Sequence, residues 1–167
     1  MFKTPWNPGK KAAYAVTALL ILLAVGFCTT ARSAEPPHVQ MAVGSTVVRG
    51  TTPAVSVNVV YPGRVGDASY EFGATFIGES SFRDVLQRNN FALHAGIVDG
   101  FGRFDVGLGV AYLQNTDEYN GSNLNFQLLL GYRFKSLPLT VRLQHFSNGS
   151  TKMPNRGRDM LLFFYRF

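Results

Sequence analysis

Three side chains near the C-terminus have the types and spacing of an acyl-transfer centre. His145 and Ser147 stand two residues apart in "PLTVRLQHFSNGS" (residues 138–150), and Asp159 follows after a turn-rich loop. A serine hydroxyl is a weak nucleophile until a neighbouring base takes its proton. A carboxylate behind the imidazole holds its tautomer and steadies the imidazolium that forms. Residues i and i+2 share a side only on an extended strand. The chemistry therefore requires a strand through His145 and Ser147, and a second strand beside it carrying Asp159.

The local pattern supplies the first. From Pro138, Leu139, Val141 and Leu143 alternate with Thr140, Arg142 and Gln144, and His145 and Ser147 continue the apolar series. A soluble protein would hide neither polar group on its apolar face. Comparable alternation recurs over approximately 39–47, 54–61, 70–78, 90–98, 103–113, 123–134, 137–147 and 160–167, separated by turn residues. No segment after residue 35 has a convincing helical period. Eight such strands predict an all-β fold, a small closed antiparallel barrel.

Arg142, Gln144, Arg133, Gln127, Asp105, Arg103, Glu71, Asn58 and Arg166 lie opposite the apolar series. Charges of both signs on that face fit a hydrated or ion-paired lumen, with the apolar face turned to lipid. The expected architecture is thus an eight-stranded antiparallel transmembrane β-barrel of the bacterial outer membrane. In the last strand Leu161, Phe163, Tyr165 and Phe167 share one face, and a terminal aromatic strand resembles the signal read by outer-membrane assembly machinery, an expected partner. With both termini in the periplasm, the seventh strand rises to place His145 and Ser147 near the outer leaflet, facing lipid. Asp159 has the parity of Leu161 and Phe163, so it faces outward too.

The N-terminal segment fits this destination. Lys3, Lys10 and Lys11 precede an apolar run from Ala12 to Phe27, followed by small and polar residues. That order predicts a signal peptide over 1–34, cleaved after Ala31 or Ala34, with the barrel domain over 35–167. The run is shorter than the ~20 residues a membrane-crossing helix needs. Bulky Phe27 before Cys28 argues against a lipoprotein site, and Cys28 is the only cysteine, so the mature chain would hold no disulfide. The formal charge of +6 for the whole chain shrinks to near neutrality without the leader, so the high isoelectric point does not point to nucleic acid.

The segment "HFSNGSTKMPNRGRD", His145 to Asp159, resembles the active-site segment of the lipid A 3-O-deacylases (the PagL family). Their pattern is His-x-Ser-Asn, then a Pro-Asn-x-Gly turn, then a carboxylate on the final strand. Upstream, "FDVGLGVAY" and "GSNLNFQLLLGYRF" look like the family's central strands. The resemblance implies an eight-stranded outer-membrane enzyme that hydrolyses the acyl ester at the 3 position of lipid A without a metal or other cofactor. It implies Ser147 as nucleophile, His145 as general base and Asp159 as the orienting carboxylate, with lipid A in the outer leaflet as substrate. The family position of Asp159 usually carries Glu, one methylene longer, so a looser contact to the imidazole is expected.

Further roles follow for the surrounding loop. An ester oxyanion needs preset donors, and Asn148 and the backbone amide of Gly149 are the candidates. Lys152, Arg156 and Arg158 form a basic run suited to the phosphates of lipid A, with Arg83 and Arg88 as lesser candidates. His94 reads as structural, His38 as solvent-exposed, and Asp117 and Glu118 as a solvated loop. There is no metal-ligand cluster in the sequence. A homodimer is compatible with the sequence. The competing expectation is a non-enzymatic structural or adhesive barrel. It would work through long outer loops, and the outer loops here are short. A related lipase or acyltransferase on the same scaffold would differ mainly in the acyl acceptor.

Overall fold

Alternation of the kind just described closes on itself here. The computed structural model describes residues 35–48, 50–63, 68–83, 85–117 and 120–167. The expected leader, its cleavage site and Glu118 lie outside the described residues. The strands are β1 (His38–Thr46), β2 (Pro53–Pro62), β3 (Ser69–Ile77), β4 (Ser80–Phe82), β5 (Val85–Gln87), β6 (Asn90–Phe101), β7 (Phe104–Leu113), β8 (Leu124–Arg133), β9 (Leu139–Ser147) and β10 (Arg158–Arg166). Eight form a closed barrel in the order β1-β10-β9-β8-β7-β6-β3-β2, and every neighbouring pair is antiparallel. The remaining two, β4 and β5, make a small hairpin in the loop between β3 and β6. Its three-residue strands are too short for alternation to reveal them.

Closure is made by the last strand. β10 pairs with β1 from Gln40↔Arg166 to Thr46↔Met160, and Phe167 N donates to Val39 O at 3.1 Å. No edge remains in the barrel to template aggregation. The outward side chains are apolar around the circumference, with Val43, Leu93, Leu108, Phe126, Leu130 and Phe163 all exposed. At the end of the barrel where β1 begins and β10 ends, Phe104, Tyr132 and Phe134 form an edge-to-face series, and Tyr165 packs on Phe167. An apolar belt edged by aromatics is the surface a bilayer-embedded barrel presents.

The interior is more layered than an all-polar lumen. Below the middle, Glu71 accepts from Arg142 Nη1 at 2.6 Å and from Asn58 Nδ2 at 2.7 Å. Asp105 pairs with Arg133 at 2.9 Å. Above them the Thr75 hydroxyl is hydrogen-bonded to both Ser56 and His94. Towards the loop end lies an apolar band that includes Ile77, Leu113, Phe146, Met160 and Leu162, all fully buried. An eight-stranded barrel is just wide enough for side chains to fill, so the band seals the lumen instead of lining a channel.

Two residues read from alternation, Arg103 and Arg166, and His38, expected to be solvent-exposed, sit differently. Arg103 is in the exposed turn between β6 and β7, where it donates to Tyr132 Oη at 3.2 Å. Arg166 is half exposed at the barrel mouth and pairs with Glu35 at 3.3 Å. His38 is only half exposed, because it begins β1 and faces the polar vestibule at that end.

Candidate active site

β9 and β10 are adjacent, and their register sets the site. His145 is directly paired with Asp159, and Leu143 with Leu161. The outward parity of His145 and Ser147 is kept, since Gln144, Phe146 and Asn148 between and beside them are buried inside the barrel. Asp159 points outward between β9 and the end of β1, where Val47 N donates to its backbone oxygen at 3.0 Å. The His145 and Asp159 side chains are 30% and 24% exposed, enough to meet a substrate at the wall.

The imidazole is oriented by the carboxylate. His145 Nδ1 lies 2.8 Å from Asp159 Oδ1. An ionised carboxylate only accepts, so Nδ1 carries the hydrogen and a neutral ring offers Nε2 as the base. Aspartate reaches despite being shorter than the expected glutamate, because directly opposed residues bring their Cβ atoms to about 4.5–5.5 Å. The other side of the ring meets Gly157. A Cβ built there would lie 2.5 Å from His145 Cε1 and 3.1 Å from Nε2, and the backbone is left-handed with φ 69°. Glycine is the residue that leaves room for the ring. Ser147 shares the face of His145, and among the described residues no hydrogen bond joins them. Such contacts commonly close only when substrate is bound.

The loop after Ser147 turns sharply. Gly149 and Ser150 both have positive φ, 59° and 60°, and Thr151 N donates to Asn148 O at 3.1 Å. Consecutive left-handed residues across such a bond belong to a type I′ turn. Among the described residues the Gly149 amide has no partner, and it directly follows the Ser147–Asn148 pair. Asn148 behaves otherwise. Its side chain points inward, fully buried, and Nδ2 donates to Asn120 Oδ1 at 3.0 Å and Lys152 O at 2.7 Å. Its backbone amide donates to Asn155 Oδ1 at 3.0 Å. The expectation of Asn148 as an oxyanion donor is corrected on both counts, and strand parity explains it: position 148 must face opposite to 147.

The basic residues divide in the same way. Lys152 and Arg156 are exposed beside the site, Arg83 is exposed just after β4, and Arg88 is exposed between β5 and β6. Arg158 is not available to a phosphate. It is inward-facing and buried, with Nη2 bonded to the Asp117 carboxylate and to Arg88 O. Asp117, expected to be solvated, has a side chain only 2% exposed for this reason. Alternation through Arg158-Asp159 carried the parity of Arg158, and the basic run concealed it. His94 is buried in the lumen, 3.0 Å from Thr75 Oγ1.

With this geometry in place, comparison with known proteins is decisive on the family. A family model for the lipid A 3-O-deacylases (PagL) matches residues 55–167, which include every strand from β3 to β10 and all three outward polar residues. The chain belongs to the lipid A 3-O-deacylase (PagL) family. A solved structure, the crystal structure of the outer membrane enzyme PagL, matches with a TM-score of 0.58 at 24% identity. The match covers 78% of this chain and 98% of that one, which supports the same fold. A search of curated proteins found no match. Membership in this family places the barrel among lipid A deacylases and weighs against an inert structural barrel.

Proposed function

We propose that this PagL-family protein hydrolyses the ester-linked acyl chain at the 3 position of lipid A, with Ser147 as nucleophile, His145 as general base and Asp159 as the orienting carboxylate. The observation that carries the reading is the 2.8 Å His145–Asp159 hydrogen bond on the outward wall, on the face that also bears Ser147. A substrate held in a bilayer is met by groups on the wall, not in the sealed lumen.

In the first step His145 Nε2 takes the Ser147 hydroxyl proton as Oγ bonds to the ester carbonyl carbon. The oxyanion is received by the Gly149 amide. Collapse breaks the bond to the sugar oxygen, and the imidazolium returns its proton to that leaving oxygen. Water then repeats the sequence against the acyl-serine, with His145 again taking the proton, and releases the fatty acid. Asp159 keeps Nδ1–H in place throughout. Lys152 and Arg156, both exposed on the loop that follows Ser147, are assigned to the phosphates of the lipid A headgroup, which they would bind through charge-assisted bonds.

Purified protein incubated with lipid A, with products weighed by mass spectrometry, tests this. Wild type should release one 3-hydroxyacyl chain, and Ser147→Ala should release none above background. Equal release by Ser147→Ala would reject the assignment.

A further inference from the structure

Each end of the active-site loop carries an inward residue next to an outward reactive one. Asn148 follows Ser147, and Arg158 precedes Asp159. Both inward side chains are held by the same loop, the one joining β7 to β8, which contributes nothing to the triad. Asn148 Nδ2 donates to Asn120 Oδ1 at 3.0 Å, and Arg158 Nη2 donates to the Asp117 carboxylate. Asp117 and Asn120 are themselves locked together. Asn120 N donates to Asp117 Oδ1 at 3.0 Å, and Asp117 N donates to Asn120 O at 3.1 Å. The middle of the active-site loop is fastened to the same place, by an Asn120–Asn155 bridge and by Gly121 N donating to Pro154 O at 2.8 Å.

We infer that Asp117 and Asn120 form a clasp inside the barrel that positions Ser147 and Asp159 on its outside. The inference rests on the reading of Ser147 as nucleophile given above. Neighbouring strand residues share a peptide unit, so pinning the side chain of one sets the direction in which the next leaves the backbone. One hydrogen-bonded pair holding both 148 and 158 sets the distance between the outward residues 147 and 159, with His145 between them. Catalytic groups must be held to within roughly 0.5 Å, and a misplacement of about 1 Å costs about 100-fold in rate. Asp117 and Asn120 touch no substrate in this scheme. They are positioning residues.

The test compares Asn120→Ala, Asp117→Asn, Asn115→Ala and Ser147→Ala with wild type, using full-length mature barrel and lipid A in mixed micelles. Folding is checked by far-UV circular dichroism and by the mobility of unboiled samples in gels. Asn120→Ala and Asp117→Asn should lower kcat at least tenfold with the apparent KM within twofold of wild type. A purely structural contact elsewhere in the barrel would lower the folded fraction instead, leaving the kcat of folded protein unchanged. Asn115 belongs to the same loop but bonds to Asn89 and Asn90, so Asn115→Ala should keep the wild-type rate. A kcat change below tenfold in either folded variant, or a loss carried by KM, overturns the clasp. Should either variant fail to fold, Asn120→Ser, which keeps a short polar group and removes no buried charge, is judged by the same criterion. Undiminished activity in Ser147→Ala would instead overturn the serine reading on which the clasp depends.

Discussion

Asp159 reaches His145 because the two residues are direct partners across β9 and β10, with Oδ1 and Nδ1 2.8 Å apart. The register, more than the length of the acid, makes the contact. Asp159→Asn keeps the volume but replaces an acceptor-only group with an amide that can present the wrong face to Nδ1. It should lower kcat by about 10²–10⁴-fold. Asp159→Glu should retain more activity than Asp159→Asn, since it preserves the charge beside the ring. Steady-state release of fatty acid by the two variants checks the order.

Gly157 is the second wall of the imidazole site. Any side chain would strike the ring at Cε1, and its left-handed backbone disfavours one besides. Gly157→Ala should therefore turn the ring off Asp159 and reduce kcat by about 100-fold. Folding should fall by only about 1–2 kcal/mol, the usual cost of a left-handed non-glycine residue. A variant with wild-type kcat would show that the ring has room to move without loss.

Stability and catalysis should separate at the opposite end of the barrel. Glu71 joins Asn58 and Arg142 in a buried cluster well below the loops. Glu71→Ala strips Arg142 of its close partner and leaves a buried guanidinium, with Asp105 at 4.0 Å the nearest remaining acid. Breaking such a pair costs about 3–5 kcal/mol. Urea unfolding should shift by that amount, while the specific activity of the folded fraction stays near wild type.

The lipid-facing assignment of the outer surface has its own check. Leu108, in the middle of β7, points outward and is among the most exposed apolar side chains. Leu108→Arg should destabilise the barrel in phospholipid vesicles by about 2–4 kcal/mol, the cost of a cation near a bilayer midplane. A neutral effect would mean that this face does not meet hydrocarbon.

Substrate grip should depend on Lys152 and Arg156. Charge reversal of both is expected to raise the apparent KM for phosphorylated lipid A several-fold with kcat little changed. The effect should shrink as salt rises, because exposed charges are screened within about 10 Å at 0.1 M ionic strength. Assays of phosphorylated and dephosphorylated lipid A across a salt series distinguish phosphate contact from a general loss of activity.

Period-two alternation by itself determined the barrel strands and the outward face of His145, Ser147 and Asp159, while the residue types of "HFSNGSTKMPNRGRD" carried the resemblance. These are properties of neighbours along the chain, and a strand's pleat translates sequence parity directly into direction. The same parity, followed through Asn148 and Arg158, would have turned both inward. Their chemical suitability as an oxyanion donor and a phosphate ligand obscured it. What the tertiary structure alone decided are relations across the barrel: the register that lets aspartate replace glutamate, the fit of the ring against Gly157, and the burial of Asp117 beneath the active-site loop. Those depend on how far one strand slides past another and on which loop folds over the lumen. Both are set by closure of the whole sheet, and no local pattern of residues encodes them.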